Sequence, residues 1–379
     1  AQDSAPAGLQ KGVMKPGKGG TYYPPFPVLG LASDGKDIFL SAGGGGATAA
    51  KEVPNVVQAH RFVEATGQMS TIASLDTKKC VVVGLTYGQA KDLWLASTGP
   101  NCRVLELSVD QNSITELCEW TTETEGKGPC QNLAKLSNLG NLVATGGTDG
   151  DLKIFSAGNL RQEPVLLHAC TKNQEILDLD FSADDKIIAS CDRSGSCRLW
   201  DSSTGQQTLC IDYKYSGAAL AMRGVRFLPL QGAMQTFVTS MAAPRGPACL
   251  AIYGVDGKLL KEVKLDAKPL TALAVCPAGR YACVNLVTGG KRVLSLPGLK
   301  VVKKMEDVHE LPAPCAAFVG ETAISGSGDR SINVLSFGRN SAGGGGGICG
   351  ACAYVFFVIL ALAIVALLIL RIGIKGAEL

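Results

Sequence analysis

The sequence predicts an all-β protein built from small repeated sheets and followed by one C-terminal transmembrane helix. Three observations lead to this prediction: short apolar strands recur at a period of about 40 residues, 46 glycines among 379 residues mark many of the turns, and a long uncharged stretch lies near the C-terminus. A hydrophobic fraction of 46% excludes a disordered chain. With a formal net charge of only +3 and no basic stripe, nucleic acid is not expected as a partner.

The clearest repeat covers residues 176–206. Apolar residues alternate with aspartates in ILDLDF, as in a half-buried strand, and a turn leads to a second strand at Ile187 to Cys191. After another turn, a third strand ends in Trp200-Asp201, the dipeptide that is typical of propeller blades. One repeat of this kind cannot bury its apolar faces alone, so several must pack together.

Six further copies bring the number of repeats to seven. They begin near Phe26, Ser70, Leu133, Ala219, Leu270 and Cys315. An ordinary β-sandwich is the alternative, but regular spacing and the recurring Asp-Gly or Gly-Asp turns favour a ring. We therefore predict a seven-bladed WD40-type β-propeller over residues 26–337, with residues 1–25 as an N-terminal segment that contributes a closing strand.

The membrane helix is predicted over residues 348–370, which contain no charged side chain. At 1.5 Å per residue this stretch spans about 34 Å, enough for a hydrocarbon core of about 30 Å. A buried helix of a soluble domain is the less favoured alternative. A glycine-rich spacer at 338–347 precedes the helix and a short tail, 371–379, follows it.

Two arguments about membrane orientation conflict. Arg371 and Lys375 follow the helix, and the positive-inside rule would place the tail in the cytosol. A C-terminal helix is inserted after synthesis, however, which leaves the preceding domain in the cytosol, and we favour that orientation. Cysteines in apolar runs, such as Cys191, Cys276 and Cys315, agree with a reducing compartment. A secreted ectodomain with disulfides is the remaining alternative.

Signals for a chemical enzyme are poor. The three histidines, His60, His168 and His309, belong to no metal-binding or nucleophile motif, and each is interpreted as an ordinary surface or packing residue. The unusual local feature is the run Gly43 to Gly46, which follows a strand directly while the next strand starts only near Val56. Such a loop either curls its backbone around an ion or a partner, or is a mobile hairpin.

These residues carry a resemblance. PFPVLGLA at the start of the ring, LSAGGGG leading to Val53-Pro54-Asn55, Val308-His309 in a late blade and the C-terminal helix together resemble the Sec-twelve family, whose animal members are called prolactin regulatory element-binding protein. The resemblance implies a guanine-nucleotide exchange factor, not a chemical catalyst. It would act at the endoplasmic reticulum (ER) membrane on the Sar-type small GTPase that starts COPII coat assembly for ER-to-Golgi transport.

The resemblance also implies the site. The exchange loop and its same-face contact would be Gly43, Gly44, Gly45, Gly46, Val53, Pro54, Asn55 and His309. Backbone oxygens of the four glycines would hold a potassium ion, and Val53 would stand at an apolar tip. The chain departs from the family pattern at Glu52, where a glycine is usual, and the loop is about one residue longer. A non-catalytic ER-membrane adaptor that assists cargo exit is therefore the second hypothesis.

Overall fold

The computed structural model describes residues 12–14, 20–49, 52–123, 130–171, 174–215, 218–230, 234–243 and 246–336. Within these ranges, thirty strands form seven antiparallel sheets, which confirms the predicted propeller. The predicted spacer, membrane helix and tail at 338–347, 348–370 and 371–379 lie outside the described residues. In the part that is described, no helix is long and apolar enough to cross a membrane.

Two short N-terminal strands precede the blades, and the blades are antiparallel sheets of four or five strands. The N-terminal strands are β1 (Gly12–Met14) and β2 (Thr21–Tyr22). Blade 1 consists of β3 (Val28–Ser33), β4 (Ile38–Gly43), β5 (Val56–Val63) and β6 (Gln68–Asp76), with a short helix, α1 (Gly46–Ala49), between β4 and β5. Blade 2 consists of β7 (Val82–Gly88), β8 (Leu93–Thr98), β9 (Asn101–Ser108) and β10 (Ser113–Thr121). Blade 3 consists of β11 (Gln131–Leu136), β12 (Leu142–Gly147), β13 (Asp151–Ser156) and β14 (Val165–Thr171).

The remaining blades follow in chain order. Blade 4 consists of β15 (Ile176–Phe181), β16 (Ile187–Asp192), β17 (Cys197–Asp201) and β18 (Gln207–Ile211). Blade 5 begins with an additional strand, β19 (Tyr213–Tyr215), followed by β20 (Ala218–Phe227), β21 (Thr236–Ala243), β22 (Gly246–Gly254) and β23 (Leu259–Asp266). Blade 6 consists of β24 (Leu270–Val275), β25 (Tyr281–Leu286), β26 (Lys291–Ser295) and β27 (Lys300–Met305). Blade 7 takes three strands from the C-terminal part of the ring: β28 (Cys315–Val319), β29 (Thr322–Gly326) and β30 (Ile332–Leu335).

The ring closes through the first and last blades. Innermost strands of successive blades contact one another all the way round, and β28 of blade 7 contacts β3 of blade 1. The outer strand of blade 7 is β2, which pairs Thr21 with Asn333 and Tyr22 with Ile332. β1 adds a fifth strand to the outer edge of blade 1. Joining the N-terminal strand to the last blade removes the seam at which the ring would otherwise open.

The hydrophobic core consists of clusters between neighbouring blades. One cluster joins Phe26 and Phe39 of the first blade region to Cys315 and Ile324 of blade 7. Burying one such side chain contributes about 1.5–3 kcal/mol. The predicted burial of the cysteines in apolar runs is confirmed, since Cys191, Cys276 and Cys315 are all buried. Each blade therefore depends on both of its neighbours.

One predicted repeat boundary is wrong. The copy expected to begin near Ser70 begins instead at Val82, because Ser70 lies within β6, the outermost strand of blade 1 paired to β5. The alternating apolar residues of β6 imitate an innermost strand in sequence. The strand that was predicted to end directly before the glycine run, β4, includes Gly43 itself, which pairs with Val56.

Candidate functional site

The connection between β4 and β5 distinguishes blade 1 from all the others. It runs over residues 44–55, twelve in all, whereas the corresponding connection in each of the other six blades has two to five residues. Within its described part, residues 44–49 and 52–55, it contains α1. We call residues 44–55 the blade 1 loop.

Glycine is required at the base of this loop for steric reasons. A Cβ atom at Gly43 would lie 1.9 Å from the carbonyl oxygen of Pro27, and a Cβ at Gly44 would lie 2.1 Å from Oδ1 of Asn55. Gly46 has a φ of +83°, in the left-handed region that other residues rarely adopt. Gly45, between them, is half-buried. The glycine run therefore brings the backbone unusually close to two oxygen atoms.

Asn55 fixes the far end of the loop. Its side chain is buried, its Oδ1 accepts a hydrogen bond from the Gly46 backbone N–H at 3.0 Å, and its Nδ2 donates to the Lys78 carbonyl at 2.8 Å. The Asn55 carbonyl accepts from the Thr77 N–H at 2.9 Å. One side chain thus joins the glycine run to the segment that follows β6, so Asn55 is a positioning residue for the loop.

Val53 and Glu52 have opposite environments. Val53 is half-buried and packs against the core cluster that contains Tyr22, Phe26 and Val28, whereas Glu52 is exposed. Pro54 is half-buried. The side chain that projects into solvent here is thus the carboxylate of Glu52, while the role of Val53 as a tip contact stays a prediction.

His309 lies in the connection between blades 6 and 7. Its ring is buried, with Nδ1 2.6 Å from the Ser331 hydroxyl and Nε2 2.7 Å from the Ser325 hydroxyl. Burial lowers the pKa of His309 to about 4; nearby Lys291 adds to this effect and Asp329 opposes it. The imidazole is therefore neutral near pH 7, and both of its nitrogens are used within the blade.

A chain of contacts joins the His309 segment to the glycine run. Gly43 abuts the Pro27 carbonyl, and the next residue, Val28, donates its N–H to the Ser327 carbonyl at 2.9 Å. Ser327 Oγ in turn donates to the Leu311 carbonyl at 3.0 Å. In an antiparallel meander, the second turn and the connection that leaves the fourth strand emerge at the same end. The structure therefore brings the predicted loop and His309 to one end of the propeller.

The oxygen atoms around the glycines suit a monovalent cation. The Pro27 carbonyl and the Asn55 amide oxygen are neutral donors, and backbone carbonyls are the ligands that potassium sites use. No group of three or more His, Cys, Asp or Glu side chains that could hold a metal occurs in the described ranges. These two neutral oxygens are of the kind that a potassium ion takes as ligands, and the ion itself stays a prediction.

An acidic cleft lies beside His309. It has a volume of about 850 Å³, and its walls include Tyr23, Glu306, Asp307, Glu310 and Asp329. Tyr23 is 66% exposed. These residues were missed by sequence reasoning, because β2 and the last two blades are distant in the chain and only ring closure brings them together.

The other two histidines have local structural contacts. His60 is fully buried in β5, with its two ring nitrogens 2.8 Å from the Ser41 hydroxyl and 3.1 Å from the Thr71 hydroxyl. Burial lowers its pKa to about 3. His168 Nε2 donates to the Ser203 carbonyl at 2.7 Å. The prediction that these two are packing or surface residues agrees with those contacts.

Comparisons with known proteins fit this architecture. The family described as "WD domain, G-beta repeat" matches residues 164–201, which run from the outer strand of blade 3 through β17 of blade 4. Among solved structures, a chain of "COPII on membranes, outer coat vertex" aligns with a TM-score of 0.69 and 13% identity, covering 84% of this chain and 86% of that one. A chain of "Crystal Structure of Mitotic Checkpoint Complex" aligns at 0.62 and 12%, covering 89% and 96%. These structural likenesses show the fold: the chain is a WD40-repeat β-propeller protein.

Sequence similarity to curated proteins indicates which type of propeller this is. "SEC12-like protein 1" of Arabidopsis thaliana is 31% identical over 233 residues, which are 60% of this chain and 55% of that protein. "Protein tipD" of Dictyostelium discoideum is 34% identical over 70 residues, 18% of this chain and 11% of tipD. The matches thus span about half of the first relative and a ninth of the second. Together with the WD repeat, the first match supports the Sec-twelve type of propeller that the sequence resembles.

Proposed function

We propose that this protein is a guanine-nucleotide exchange factor for a Sar-type small GTPase and starts COPII vesicle formation at the ER membrane. The observation that carries the proposal is the blade 1 loop, which replaces a tight turn with twelve residues and is held in shape by Asn55. The similarity to SEC12-like protein 1 points the same way. The loop end of the propeller, with its acidic cleft, is the surface that would receive the GTPase.

Nucleotide exchange requires no proton transfer. A small GTPase holds its nucleotide through a phosphate-binding loop and Mg²⁺, so a factor that binds the conformation in which those contacts are weak accelerates release. To raise the population of that conformation from about 1% to about 99%, the factor must bind it more tightly than the nucleotide-loaded conformation by roughly 5.5 kcal/mol. An ordered loop loses less conformational entropy on contact, and this is the contribution of the glycine close approaches and of Asn55.

A potassium ion belongs to this proposal. Backbone oxygens of Gly43 to Gly46, together with the Pro27 carbonyl and the Asn55 Oδ1, would hold it. When bound, the ion supplies a positive charge that keeps these neutral oxygens converged. The chain's own part is to place the oxygens, through the glycine run and the Asn55 hydrogen bonds.

Membrane attachment also remains part of the proposal. The apolar residues 348–370 would form a single transmembrane helix, with the propeller in the cytosol and the short tail in the lumen. This topology would keep the propeller on the same side of the membrane as the GTPase.

A second candidate is supported by Glu52. Because the exposed side chain near the loop tip is a carboxylate and Val53 packs inward, the loop differs from an apolar contact surface. A membrane-bound adaptor that assists cargo exit without catalysing exchange fits this difference.

One assay separates the two candidates. The detergent-solubilised full chain is mixed with a Sar-type GTPase loaded with fluorescent GDP, first in potassium and then in sodium buffer. Exchange predicts faster release in potassium, and Val53→Asp should lower that rate when the variants are compared at equal concentrations of folded protein. A matched control, Leu139→Asp, changes a 65% exposed apolar residue in blade 3 and should leave the rate unchanged. No acceleration by the wild-type chain at equal concentrations favours the adaptor.

A further inference from the structure

The outer edges of blades 5 and 6 expose aliphatic side chains. Leu259 and Leu260 of β23 are 40% and 45% exposed, and Val301 and Val302 of β27 are 40% and 44% exposed. Both strands are the outermost of their sheets. These four apolar side chains thus lie on the perimeter of the ring, and not at the end that carries the blade 1 loop.

Lysines surround these aliphatic residues. Residues 256–268 and 300–306 contain seven lysines against four acidic residues, while the whole chain has a formal net charge of only +3. We call these two segments the lysine edge. Its exposed lysines are Lys258, Lys261, Lys264, Lys268, Lys300, Lys303 and Lys304.

All four acidic residues of the lysine edge have partners within the propeller, Asp256 by accepting a hydrogen bond from the Lys258 N–H at 3.0 Å. Glu262 accepts a hydrogen bond from the Tyr213 hydroxyl, while Asp266 and Glu306 each lie 2.8 Å from the buried guanidinium of Arg292. Among the lysines, only Lys304 forms an ion pair with a described residue, namely Glu306 at 3.0 Å. The other six ammonium groups form no ion pair with the described residues, so they can bind an external anion.

Arg292 also makes the two strands one surface. It binds the C-terminal end of β23 through Asp266 and the residue after β27 through Glu306. Both strands are the fourth strands of neighbouring meanders and run in the same direction. The two strands thus meet at the ends that Arg292 joins, and both lie on the perimeter of the ring.

Lysines on an unpaired edge strand also discourage pairing with another sheet. That explanation would apply equally to β14 and β18, which are outermost strands of blades 3 and 4. Their sequences, VLLHACT and QTLCI, contain no lysine, arginine or acidic residue. Protection of edges is thus not a general feature of this propeller, and the lysine edge requires a different explanation.

We propose that the lysine edge docks on a membrane surface rich in anionic phospholipids. Each lysine close to an anionic leaflet contributes about 1 kcal/mol, and exposed aliphatic residues between lysines enter the headgroup region. A nucleic acid would use the charges but not the four aliphatic side chains. This interaction does not depend on nucleotide exchange, since the lysine edge is on the perimeter and the blade 1 loop is at one end of the ring.

Lysine footprinting of the full chain tests the proposal. The protein is incubated with vesicles of phosphatidylcholine alone or mixed with phosphatidylserine, and acetylation of each lysine is followed by mass spectrometry. Lys261, Lys264 and Lys303 should react about fivefold more slowly on the anionic vesicles, the factor that corresponds to about 1 kcal/mol. Raising the ionic strength should restore their reactivity, because salt screens exposed charges.

Matched variants sharpen the test. K261E/K264E/K303E should abolish the protection of Lys268 and Lys300, whereas K36E/K79E/K186E, with the same change in charge at exposed lysines elsewhere, should keep it. Equal reactivity on both kinds of vesicle, or protection that survives high salt, overturns the proposal. Stronger protection of the same lysines by duplex DNA than by anionic vesicles would assign the surface to nucleic acid instead.

Discussion

Blades 1 and 7 lie side by side and each contains a buried histidine with both ring nitrogens hydrogen-bonded, yet their second and third strands are connected in different ways. In blade 7, residues 327–331 form the five-residue turn. His309, in the connection that precedes the blade, forms hydrogen bonds with Ser325 and Ser331. In blade 1 the histidine is His60, inside the sheet on β5. In the described residues of the twelve-residue loop, 44–49 and 52–55, the side chain that holds the backbone is Asn55 instead.

The difference shows how one blade of a propeller can hold a long loop in shape. His309 stabilises a compact turn from outside the sheet, while in blade 1 the hydrogen bonds of His60 hold the strands together internally. The blade 1 loop is instead fixed by Asn55 and by the close approach of Gly43 to Pro27. The sheet can therefore keep its stability while the loop keeps a shape suited to a partner.

Acidification should weaken both blades and has the largest expected effect. The pKa values of His60 and His309 are about 3 and about 4 in the folded chain, below the ordinary value of 6.5. The unfolded chain therefore binds protons first, and stability present above pH 6.5 is lost as the pH falls. Between pH 7 and pH 5 the two histidines together should lower the free energy of unfolding by about 4 kcal/mol, which urea unfolding would measure.

A single substitution separates the two contributions. His309→Gln removes the titration of His309 and leaves that of His60. The free energy of unfolding of this variant should therefore fall by about 2 kcal/mol less than that of the wild type over the same pH range. An unchanged pH dependence in this variant would show that His309 is not held neutral by burial.

Gly43→Ala should be the most damaging change in blade 1. Its Cβ would lie 1.9 Å from the Pro27 carbonyl oxygen, so the base of the loop or the entry to β3 must shift, at a cost of about 3 kcal/mol. The release of GDP from the GTPase should slow at least tenfold. Gly158→Ala is the control, since nothing lies within 4 Å of its added Cβ; a similar loss of stability there would remove the steric explanation.

His309→Ala should destabilise blade 7 by about 2 kcal/mol, because two buried hydroxyls lose their partner. His168→Ala removes one bond near the surface and should cost less than about 1 kcal/mol. Exchange rates are compared at equal concentrations of folded protein. An unchanged rate assigns His309 a purely structural role, whereas a loss of rate larger than the folded fraction explains supports contact with the GTPase.

Asn55→Ala should have the smallest effect on stability, about 1–2 kcal/mol, because it leaves the Gly46 N–H and the Lys78 carbonyl without their side-chain partner. The loop would lose its anchor, so the exchange rate should fall about tenfold while the unfolding midpoint changes little. Asn55→Asp keeps the acceptor for Gly46 and should retain more activity than Asn55→Ala. Equal rates in the two variants would contradict the anchoring role.

Much of the fold could be read from local patterns. Alternating apolar residues, the recurring turns and the Trp200-Asp201 pair predict blades because each depends on neighbouring residues in the chain. The error at Ser70 has the same origin: an outer strand that is half-covered by a fifth strand has the alternation of an inner one. Sequence alone also pointed to the glycine run, since the next strand starts only near Val56, too far along the chain for a two-residue turn.

From the local patterns of the chain alone, the repeat, the position of the unusual loop and the residues in that loop could be predicted. Tertiary structure decided what those residues do: Asn55 anchors the loop, Val53 packs inward, and His309 is buried among serines on the same end as Gly43. The lysine edge likewise becomes one surface only when Arg292 joins the ends of two blades. The physical reason is that strand patterns are local, whereas close approach, burial and ion pairing depend on ring closure between residues hundreds of positions apart.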